Sequence, residues 1–255
     1  MQNSEHILTD NPPPADARLR YGSGEYQFGD LRLPKGSGPF PAAMFIHGGF
    51  WRARYDLSHA GFFCAGLTKM GFATWNIEYR RVGNPGGGWP GSFEDVTAAY
   101  QFVRQLAGKY PIDPKRLIAL GHSAGGQLAL ALAAHHNSMS AVVSLAGVVD
   151  LRRGWELHLS NDAVSEFLGG PPERVPEHYR EASPLELEIR CKQLLIHGTE
   201  DDIIPVAMSR SYLKQKLQKH ESVSLLEIPK AGHFELIDPE SKSSPEMEKA
   251  LAKLV

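Results

Sequence analysis

The sequence predicts an α/β protein with a mostly parallel central sheet and helices on both faces, on three observations. Short apolar runs with little polar alternation, typical of strands buried on both faces, recur along the chain. Helix-like segments separate these runs, which indicates crossover connections between parallel strands. The 255 residues are enough for one domain with a sizeable core, and α/β domains of this length often remain undivided.

Six strands are predicted from the apolar runs, at residues 41–46, 72–79, 116–120, 141–146, 193–196 and 223–228. Five helices are predicted between and after them, at residues 58–70, 92–108, 125–136, 206–219 and 244–254. Residues 27–33 are predicted to add an antiparallel strand at the edge of the sheet. This order predicts a single domain over residues 25–255.

Two segments stand outside that alternation. Residues 1–24 are polar and proline-rich, and we expect them to form a loose N-terminal arm. Residues 150–187 are a long insertion without a clear strand, and they contain Gly-Gly-Pro-Pro at 169–172. Insertions of this length are often short lids over a site, and the alternative is a surface excursion with short helices.

The composition excludes several classes of protein. The formal net charge is -2 at pH 7, so no basic surface for nucleic acid is expected, and no basic run indicates membrane binding. The first residues lack a signal-peptide pattern, and no apolar run is long enough to cross a bilayer. Cys64 and Cys191 are far apart and are interpreted as buried small side chains. We expect a soluble cytoplasmic protein with no metal and no cofactor.

The segment GHSAGG at residues 121–126 follows the apolar run 117–120 directly. Its first five residues fit G-x-S-x-G, a sharp strand-to-helix turn that holds a strained, exposed serine. Glycines allow the next helix to pack close to the strand, and the helix N-terminus aims backbone N–H groups at the serine. Ligands of open parallel sheets bind at these strand ends, so Ser123 is the candidate nucleophile, with an ordinary turn as the alternative.

A serine hydroxyl needs a base, and an acid to orient that base. His233 lies in the loop after the strand at 223–228 and is the candidate base. The acid is expected after the preceding strand, where the segment HGTEDDIIP offers Glu200, Asp201 and Asp202. His197, at the start of that segment, is interpreted as a structural hydrogen-bonding residue.

An oxyanion formed during acyl transfer needs hydrogen-bond donors. The backbone N–H of Ala124, directly after the serine, is one candidate. The loop HGGFW at residues 47–51 follows the first predicted strand, and its two glycines let the backbone turn N–H groups inward. Gly49 and Phe50 are the other candidate donors, and a plain turn is the alternative.

The four segments HGGFW, GHSAGG, HGTEDDIIP and AGHF occur in this order at predicted strand ends. With them, the chain resembles the α/β-hydrolase superfamily over nearly its whole length. Within it, the chain is similar to the branch of small microbial carboxylesterases, acetyl-xylan and feruloyl esterases, kynurenine formamidase and prolyl-oligopeptidase-like catalytic domains. HGGFW is similar to the formamidase loop, and the Ser183-Pro184 pair also resembles this branch.

The resemblance implies a catalytic triad of Ser123, Asp201 and His233, with Asp202 as the alternative acid. It also implies that the backbone donors named above form the oxyanion hole. Phe50 departs from the pattern, since many lipase-type esterases have a third glycine there. No propeller domain precedes the hydrolase domain in this sequence, which speaks against oligopeptidase activity.

Aromatic residues near the predicted strand ends are candidates for substrate binding, with core packing as the alternative for each tryptophan. The predicted set is Phe50, Trp51, Trp89 and His122. Trp89 lies in the glycine-rich segment 86–91, which lacks the G-K-[ST] of a phosphate-binding loop.

Three functions follow from these residues. The first is a serine esterase acting on short acyl esters, and the second is an arylformamidase that hydrolyses the C–N bond of N-formylkynurenine. The third, of another class, is an inactive hydrolase-fold binding protein. The expected partner is a small-molecule ester or formamide substrate, with no nucleic acid and no membrane, and a homodimer is left open.

Overall fold

One eight-stranded sheet forms the centre of the protein in a computed structural model that describes residues 4–136 and 138–254. The strands lie in the spatial order β1-β2-β4-β3-β5-β6-β7-β8. Their bounds are β1 Ala17–Arg20, β2 Phe28–Arg32, β3 Phe40–Ile46, β4 Ala73–Ile77, β5 Ile112–His122, β6 Ala141–Leu145, β7 Lys192–Gly198 and β8 Val223–Ile228. The pairs β1–β2 and β2–β4 are antiparallel, and the five other pairs are parallel.

Helices cover both faces of the sheet. Their bounds are α1 Gly61–Lys69, α2 Gly91–Ala107, α3 Ala124–His135, α4 Leu151–Glu156, α5 Ala163–Leu168, α6 Pro176–Ala182, α7 Val206–Gln218 and α8 Ser244–Leu251. Short 3₁₀ turns lie at Ser4–Leu8, Leu57–Ala60, Phe234–Leu236 and Ala252–Leu254. None of the helices in the described ranges is long and apolar enough to cross a membrane.

Two core layers form because successive strand residues point to opposite faces. In β3, Met44 and Ile46 pack into the layer that holds α2, α3 and α7. Ala43 and Phe45 pack into the opposite layer, with α1 and α8. Both layers are apolar, which explains the lack of polar alternation in the parallel strands. The predicted α/β fold with a mostly parallel sheet is confirmed.

The N-terminal part of the sheet differs from the prediction. The strand predicted at residues 27–33 is β2, but it pairs on both sides and is therefore not the edge. The edge is β1, inside the segment that we expected to be a loose arm. Its polar sequence ARLR alternates between half-buried and exposed residues, and Arg18 donates two hydrogen bonds to Asp30 on β2, at 2.7 and 2.9 Å. Cross-strand pairing thus orders a segment that lacks an apolar run.

The insertion at residues 150–187 folds as the three short helices α4, α5 and α6 and contains no strand, as its sequence indicates. Its apolar side chains, among them Val164 and Phe167, join the core layer of α3. The segment is therefore packed on the body of the protein along much of its length.

Candidate active site

Ser123 occupies the turn between β5 and α3 in a strained backbone conformation. Its φ is 56° and its ψ is -120°, a region that side-chain-bearing residues rarely adopt. A Cβ atom on Gly125 would overlap the carbonyl oxygens of Ile46 and His47, so only glycine lets α3 approach β3 this closely. The serine is placed at the N-terminus of α3, as the sequence predicts for a nucleophile.

His233 and Asp201 form a buried pair beside this turn. The Nδ1 atom of His233 lies 2.7 Å from Oδ2 of Asp201, and the two side chains are 4% and 0% exposed. A carboxylate only accepts hydrogen bonds, so Nδ1 carries the proton and Nε2 keeps a lone pair. This is the tautomer that a general base for a serine needs. The neighbouring Asp202 is exposed.

Both carboxylate oxygens of Asp201 accept hydrogen bonds. Its Oδ1 accepts hydrogen bonds from the backbone N–H groups of Ile203 and Ile204, at 2.9 and 2.8 Å. Burial alone raises the pKa of Asp201, but hydrogen bonds from His197, His233 and the backbone outweigh burial and hold the pKa below its ordinary value. The acid is therefore ionised at neutral pH.

His197 is the second histidine on this carboxylate, and its side chain is fully buried. Its Nε2 lies 2.9 Å from the carbonyl oxygen of Ile204 and 3.3 Å from Oδ2 of Asp201, so Nε2 is the donor. Its Nδ1 then accepts from the Ser209 hydroxyl at 2.7 Å. The structural hydrogen-bonding role that the sequence suggests for His197 thus extends to the acid itself.

We predict that His197→Phe lowers kcat without unfolding the protein. A hydrogen bond to a charged group contributes about 1.5–3 kcal/mol, so the expected loss is roughly 10- to 100-fold. His197→Gln, which keeps an N–H donor, is expected to recover part of the rate, and Ser211→Ala, at an exposed position on α7, serves as the control. Steady-state rates and thermal unfolding are the measurements. A folded Phe variant with full kcat would remove His197 from the positioning of Asp201.

His122 precedes Ser123 in the chain, and its ring packs against the ring of His233. Its Nε2 donates to the carbonyl oxygen of His233 at 3.1 Å, and the two imidazole rings are 4.4 Å apart. Burial, reinforced by the neighbouring His233, holds the pKa of His122 well below its ordinary value. His122 is therefore a neutral donor that fixes the backbone of the loop carrying His233.

The loop at residues 47–51, called the oxyanion loop after its predicted role, has three consecutive residues with positive φ. The angles are 105° at Gly49, 51° at Phe50 and 57° at Trp51. A Cβ atom on Gly49 would lie 2.6 Å from Cβ of Tyr55, so this position requires glycine. Across residues 4–136 and 138–254, no acceptor takes a hydrogen bond from the backbone N–H of Gly49, Phe50 or Ala124. These three N–H groups are therefore unpaired within the described ranges, and their role as oxyanion donors stays a prediction.

A buried network of polar side chains holds the oxyanion loop in place. His47 donates through Nδ1 to the Gly48 carbonyl oxygen at 2.8 Å, and its Nε2 lies 3.0 Å from Oε1 of Glu78. Glu78 also pairs with Arg81 at 3.2 Å, and the Tyr79 hydroxyl donates to the His47 carbonyl oxygen at 3.0 Å. The strained loop is thus fixed by bonds to the chain that follows β4.

One small cavity, of about 80 Å³, brings the predicted groups together. It is lined by Leu8, Gly49, Phe50, Tyr55, His59, His122, Ser123, Ile203, His233 and Phe234. Most of its walls are apolar, and burial lowers the pKa of His59 to about 3, which leaves that side chain neutral. The cavity beside the candidate nucleophile and the candidate base is thus mainly apolar, as small-molecule sites usually are.

Two predicted substrate-binding residues lie elsewhere. Trp51 is fully buried, stacks on Phe167 at a ring distance of 4.5 Å and donates to Oε1 of Gln127 at 3.0 Å. Trp89 stacks on Phe93 at 5.1 Å and does not line the cavity. For both, core packing is what the structure shows, whereas Phe50 and His122 do line the cavity.

Five lining residues were not predicted from the sequence. Ile203 and Phe234 lie within two residues of the candidate acid and base, which is a signal that the sequence offers. Tyr55 and His59 follow the oxyanion loop within eight residues. Leu8 is in the segment expected to be a loose arm, and its local sequence gives no sign of this position.

The insertion does not cover this cavity, since no lining residue comes from 150–187. It contacts the end of the oxyanion loop instead, through the stacking of Phe167 on Trp51 and through Arg52, the next residue. Arg52 donates to Oε2 of Glu166 at 2.7 Å, to Oγ of Ser160 at 3.0 Å and to the carbonyl oxygen of Asn161 at 3.1 Å. The segment that we expected to be a lid supports the oxyanion loop in this structure.

A strained serine at the end of a central parallel strand, followed along the chain by an acid and then a histidine, defines the α/β-hydrolase superfamily, to which this protein belongs. The sequence profile of the BD-FAE family matches residues 30–217, which is most of the chain. The chain is therefore a member of the BD-FAE family.

Curated relatives include esterases and a formamidase. Esterase LipC of Mycobacterium tuberculosis (strain ATCC 25618 / H37Rv) is 29% identical over 248 residues, covering 87% of this chain and 60% of LipC. This chain thus spans well under two thirds of the length of LipC. Kynurenine formamidase of Meyerozyma guilliermondii is 27% identical over 209 residues, covering 74% of this chain and 75% of that protein.

Solved structures share the fold. A truncated carbohydrate esterase from gut microbiota superposes with a TM-score of 0.81 at 23% identity, covering 96% of this chain and 99% of that chain. Esterase B from Lactobacillus rhamnosis gives a TM-score of 0.82 at 18% identity, covering 98% of this chain and 88% of that chain. At these identities the likeness concerns the fold alone.

Proposed function

We propose that this protein is a serine hydrolase that cleaves short-acyl carboxylic esters, with Ser123 as nucleophile, His233 as base and Asp201 as acid. The observation that carries the proposal is the buried 2.7 Å pair of His233 and Asp201 at the wall of the cavity that Ser123 also lines. The similarity to esterase LipC supports the same class of reaction.

The proposed reaction has two steps. Nε2 of His233 takes the proton of the Ser123 hydroxyl, and Oγ attacks the ester carbonyl carbon. The oxyanion receives hydrogen bonds from the free N–H groups of the oxyanion loop and of Ala124. The C–O bond to the alcohol then breaks, and the alcohol leaves with the proton from His233. Water, activated by the same imidazole, attacks the acyl-enzyme and releases the carboxylic acid.

The size of the cavity supports a short acyl group. A cavity of about 80 Å³ favours a short acyl group such as acetyl or butyryl over a long fatty acyl chain. The apolar side chains of Phe50, Ile203 and Phe234 would contact the acyl methylenes.

Arylformamidase is the second candidate. The similarity to kynurenine formamidase and the aromatic lining by Phe50, Tyr55 and Phe234 favour it. A formyl group is smaller than acetyl and fits the cavity, and the same nucleophile, base and donors would cleave a C–N bond, with the arylamine as leaving group.

Parallel kinetic assays on p-nitrophenyl acetate, p-nitrophenyl butyrate and N-formylkynurenine test the proposal. We expect saturable hydrolysis of the esters, abolished by a fluorophosphonate that labels Ser123. A kcat/KM for N-formylkynurenine well above that for the esters would make formamidase the function. A protein that neither labels nor hydrolyses any of the three would be an inactive binding protein of this fold.

A further inference from the structure

The N-terminal turn Ser4–Leu8 is anchored to the body of the protein at several points. Ile7 is 1% exposed and packs into the core layer of α1 and α8. The Ser4 hydroxyl donates to Oδ2 of Asp238 at 2.7 Å, and both residues are buried. The His6 ring contacts the edge of Phe62 at a ring distance of 5.9 Å. These contacts fix the turn although it lies outside the sheet.

The anchored turn bridges two walls of the catalytic cavity. It packs against the 3₁₀ turn Leu57–Ala60, which carries His59, and against the turn Phe234–Leu236, which follows His233 directly. Both of these turns contribute residues to the cavity lining. The N-terminal turn therefore sits where a cap on the acyl pocket would be.

Leu8, the last residue of the turn, lines the cavity together with Ser123 and His233. Leu8 is 37% exposed, and it is one of three large apolar residues that are exposed in the described ranges. Its neighbours in the lining are the apolar side chains of Phe50, Ile203 and Phe234. An acyl chain entering this cavity would cover the exposed part of Leu8.

We propose that the turn Ser4–Leu8 is a specificity element in which Leu8 closes the acyl pocket and limits the length of the acyl chain. This inference rests on the proposed esterase function. The turn would act as a fixed wall rather than as a moving lid, because Ile7 and the bond between Ser4 and Asp238 hold it in place. The alternative is that the turn only covers the core.

Substitutions at Leu8 separate these two roles. The measurement is kcat/KM for p-nitrophenyl acetate, butyrate, hexanoate and octanoate. We expect Leu8→Ala to raise the hexanoate-to-acetate ratio about tenfold, since one methylene in an apolar pocket decides roughly 10- to 200-fold. Leu8→Trp is expected to lower the butyrate-to-acetate ratio by a similar factor. Leu217→Ala, which truncates another exposed leucine on α7, is the control and should leave every ratio unchanged.

A second variant keeps the proposal testable if Leu8 variants fold poorly. Ser4→Ala removes the hydrogen bond to Asp238 and leaves the cavity lining intact. We expect a shift towards longer chains of about two- to threefold, smaller than for Leu8→Ala because Ile7 still holds the turn. Thermal unfolding of each variant reports whether the fold is retained.

The outcomes distinguish this inference from the proposed function. If Leu8 variants are active and keep the wild-type chain-length profile, Leu8 does not limit the length of the acyl chain, and the proposed esterase function is unaffected. If the wild-type protein hydrolyses no ester and does not react with a fluorophosphonate, the proposed esterase function is wrong. The proposed role of Leu8, which rests on that function, is then wrong as well. Labelling rates with short- and long-alkyl fluorophosphonates give the same comparison without turnover. If the ratio of the two labelling rates is equal in wild type and Leu8→Ala, Leu8 does not limit the length of the acyl chain.

Discussion

Ser123→Ala is expected to lower the rate of ester hydrolysis by roughly 10⁶-fold, the loss seen when a serine protease loses its nucleophile. Without Oγ no acyl-enzyme can form, and only substrate binding and oxyanion stabilisation remain. The fold should persist, because Ser123 Oγ takes part in none of the hydrogen bonds found in the described ranges. Alanine has the same backbone preferences as serine to first order, so the strain at φ 56° is retained.

Burst kinetics and steady-state rates on p-nitrophenyl acetate measure this loss, with thermal unfolding as the check on the fold. Ser140→Ala is the matched control, since Ser140 is exposed and precedes β6, at the end of the sheet away from Ser123. The control is expected to keep full activity. If Ser123→Ala keeps a tenth of the wild-type rate, the nucleophile is another group.

The sequence predicts the strand ends of this protein well because parallel strands bring their carboxyl ends to one edge of the sheet. Ser123, Asp201 and His233 each come after a predicted strand of four to six residues, so the order of motifs along the chain determines their neighbourhood in space. The glycine at 49 has a local cause, its positive φ, whereas Gly125 is required by the close approach of α3 to β3, which is a tertiary contact. The G-x-S-x-G spacing nevertheless indicates this contact, because it is typical of a sharp strand-to-helix turn.

The sequence does not predict which side chains complete the cavity. Trp51 and Trp89 are aromatic and close to strand ends, yet Trp51 is buried against Phe167 and the partly buried Trp89 packs on Phe93 at the edge of the core. Leu8 is the opposite case, because it lines the cavity although its polar, proline-rich sequence surroundings predict no ordered structure. Its position depends on tertiary contacts of Ile7, which local composition cannot indicate. Contacts with residues that are distant in the chain determine where Trp51, Trp89 and Leu8 lie. Such contacts leave no periodic pattern in the local sequence.

The two neighbouring aspartates are expected to differ sharply, with Asp201→Asn far more damaging than Asp202→Asn. An asparagine at 201 can still accept from Ile203 and Ile204 through Oδ1, but its amide group then faces the Nδ1–H of His233, donor against donor. His233 escapes by moving its proton to Nε2, and that nitrogen can no longer take the proton of a serine. The equivalent change in a serine protease costs roughly 10⁴ in kcat.

The same substitution should change the acid stability of the protein. The pKa of Asp201 is lowered by folding, so its charged form contributes stability above the unfolded-state value of about 3.9, and this contribution is lost as pH falls below it. Asp201→Asn lacks this contribution at neutral pH and should show a weaker fall in unfolding temperature than wild type as pH drops from about 4 towards the lowered folded-state pKa, where wild type loses the contribution.

Asp202→Asn is the matched control, because Asp202 is adjacent and exposed. A surface substitution of this kind usually changes the free energy of unfolding by less than about 0.5 kcal/mol, and we expect kcat to stay within a few-fold of wild type, that is, within about 1 kcal/mol in activation free energy. Both variants are to be assayed side by side on p-nitrophenyl acetate, with thermal unfolding at each pH. An inactive Asp202→Asn beside an active Asp201→Asn would assign the acid to Asp202, and it would mean that the 2.7 Å contact of Asp201 with His233 does not orient the base.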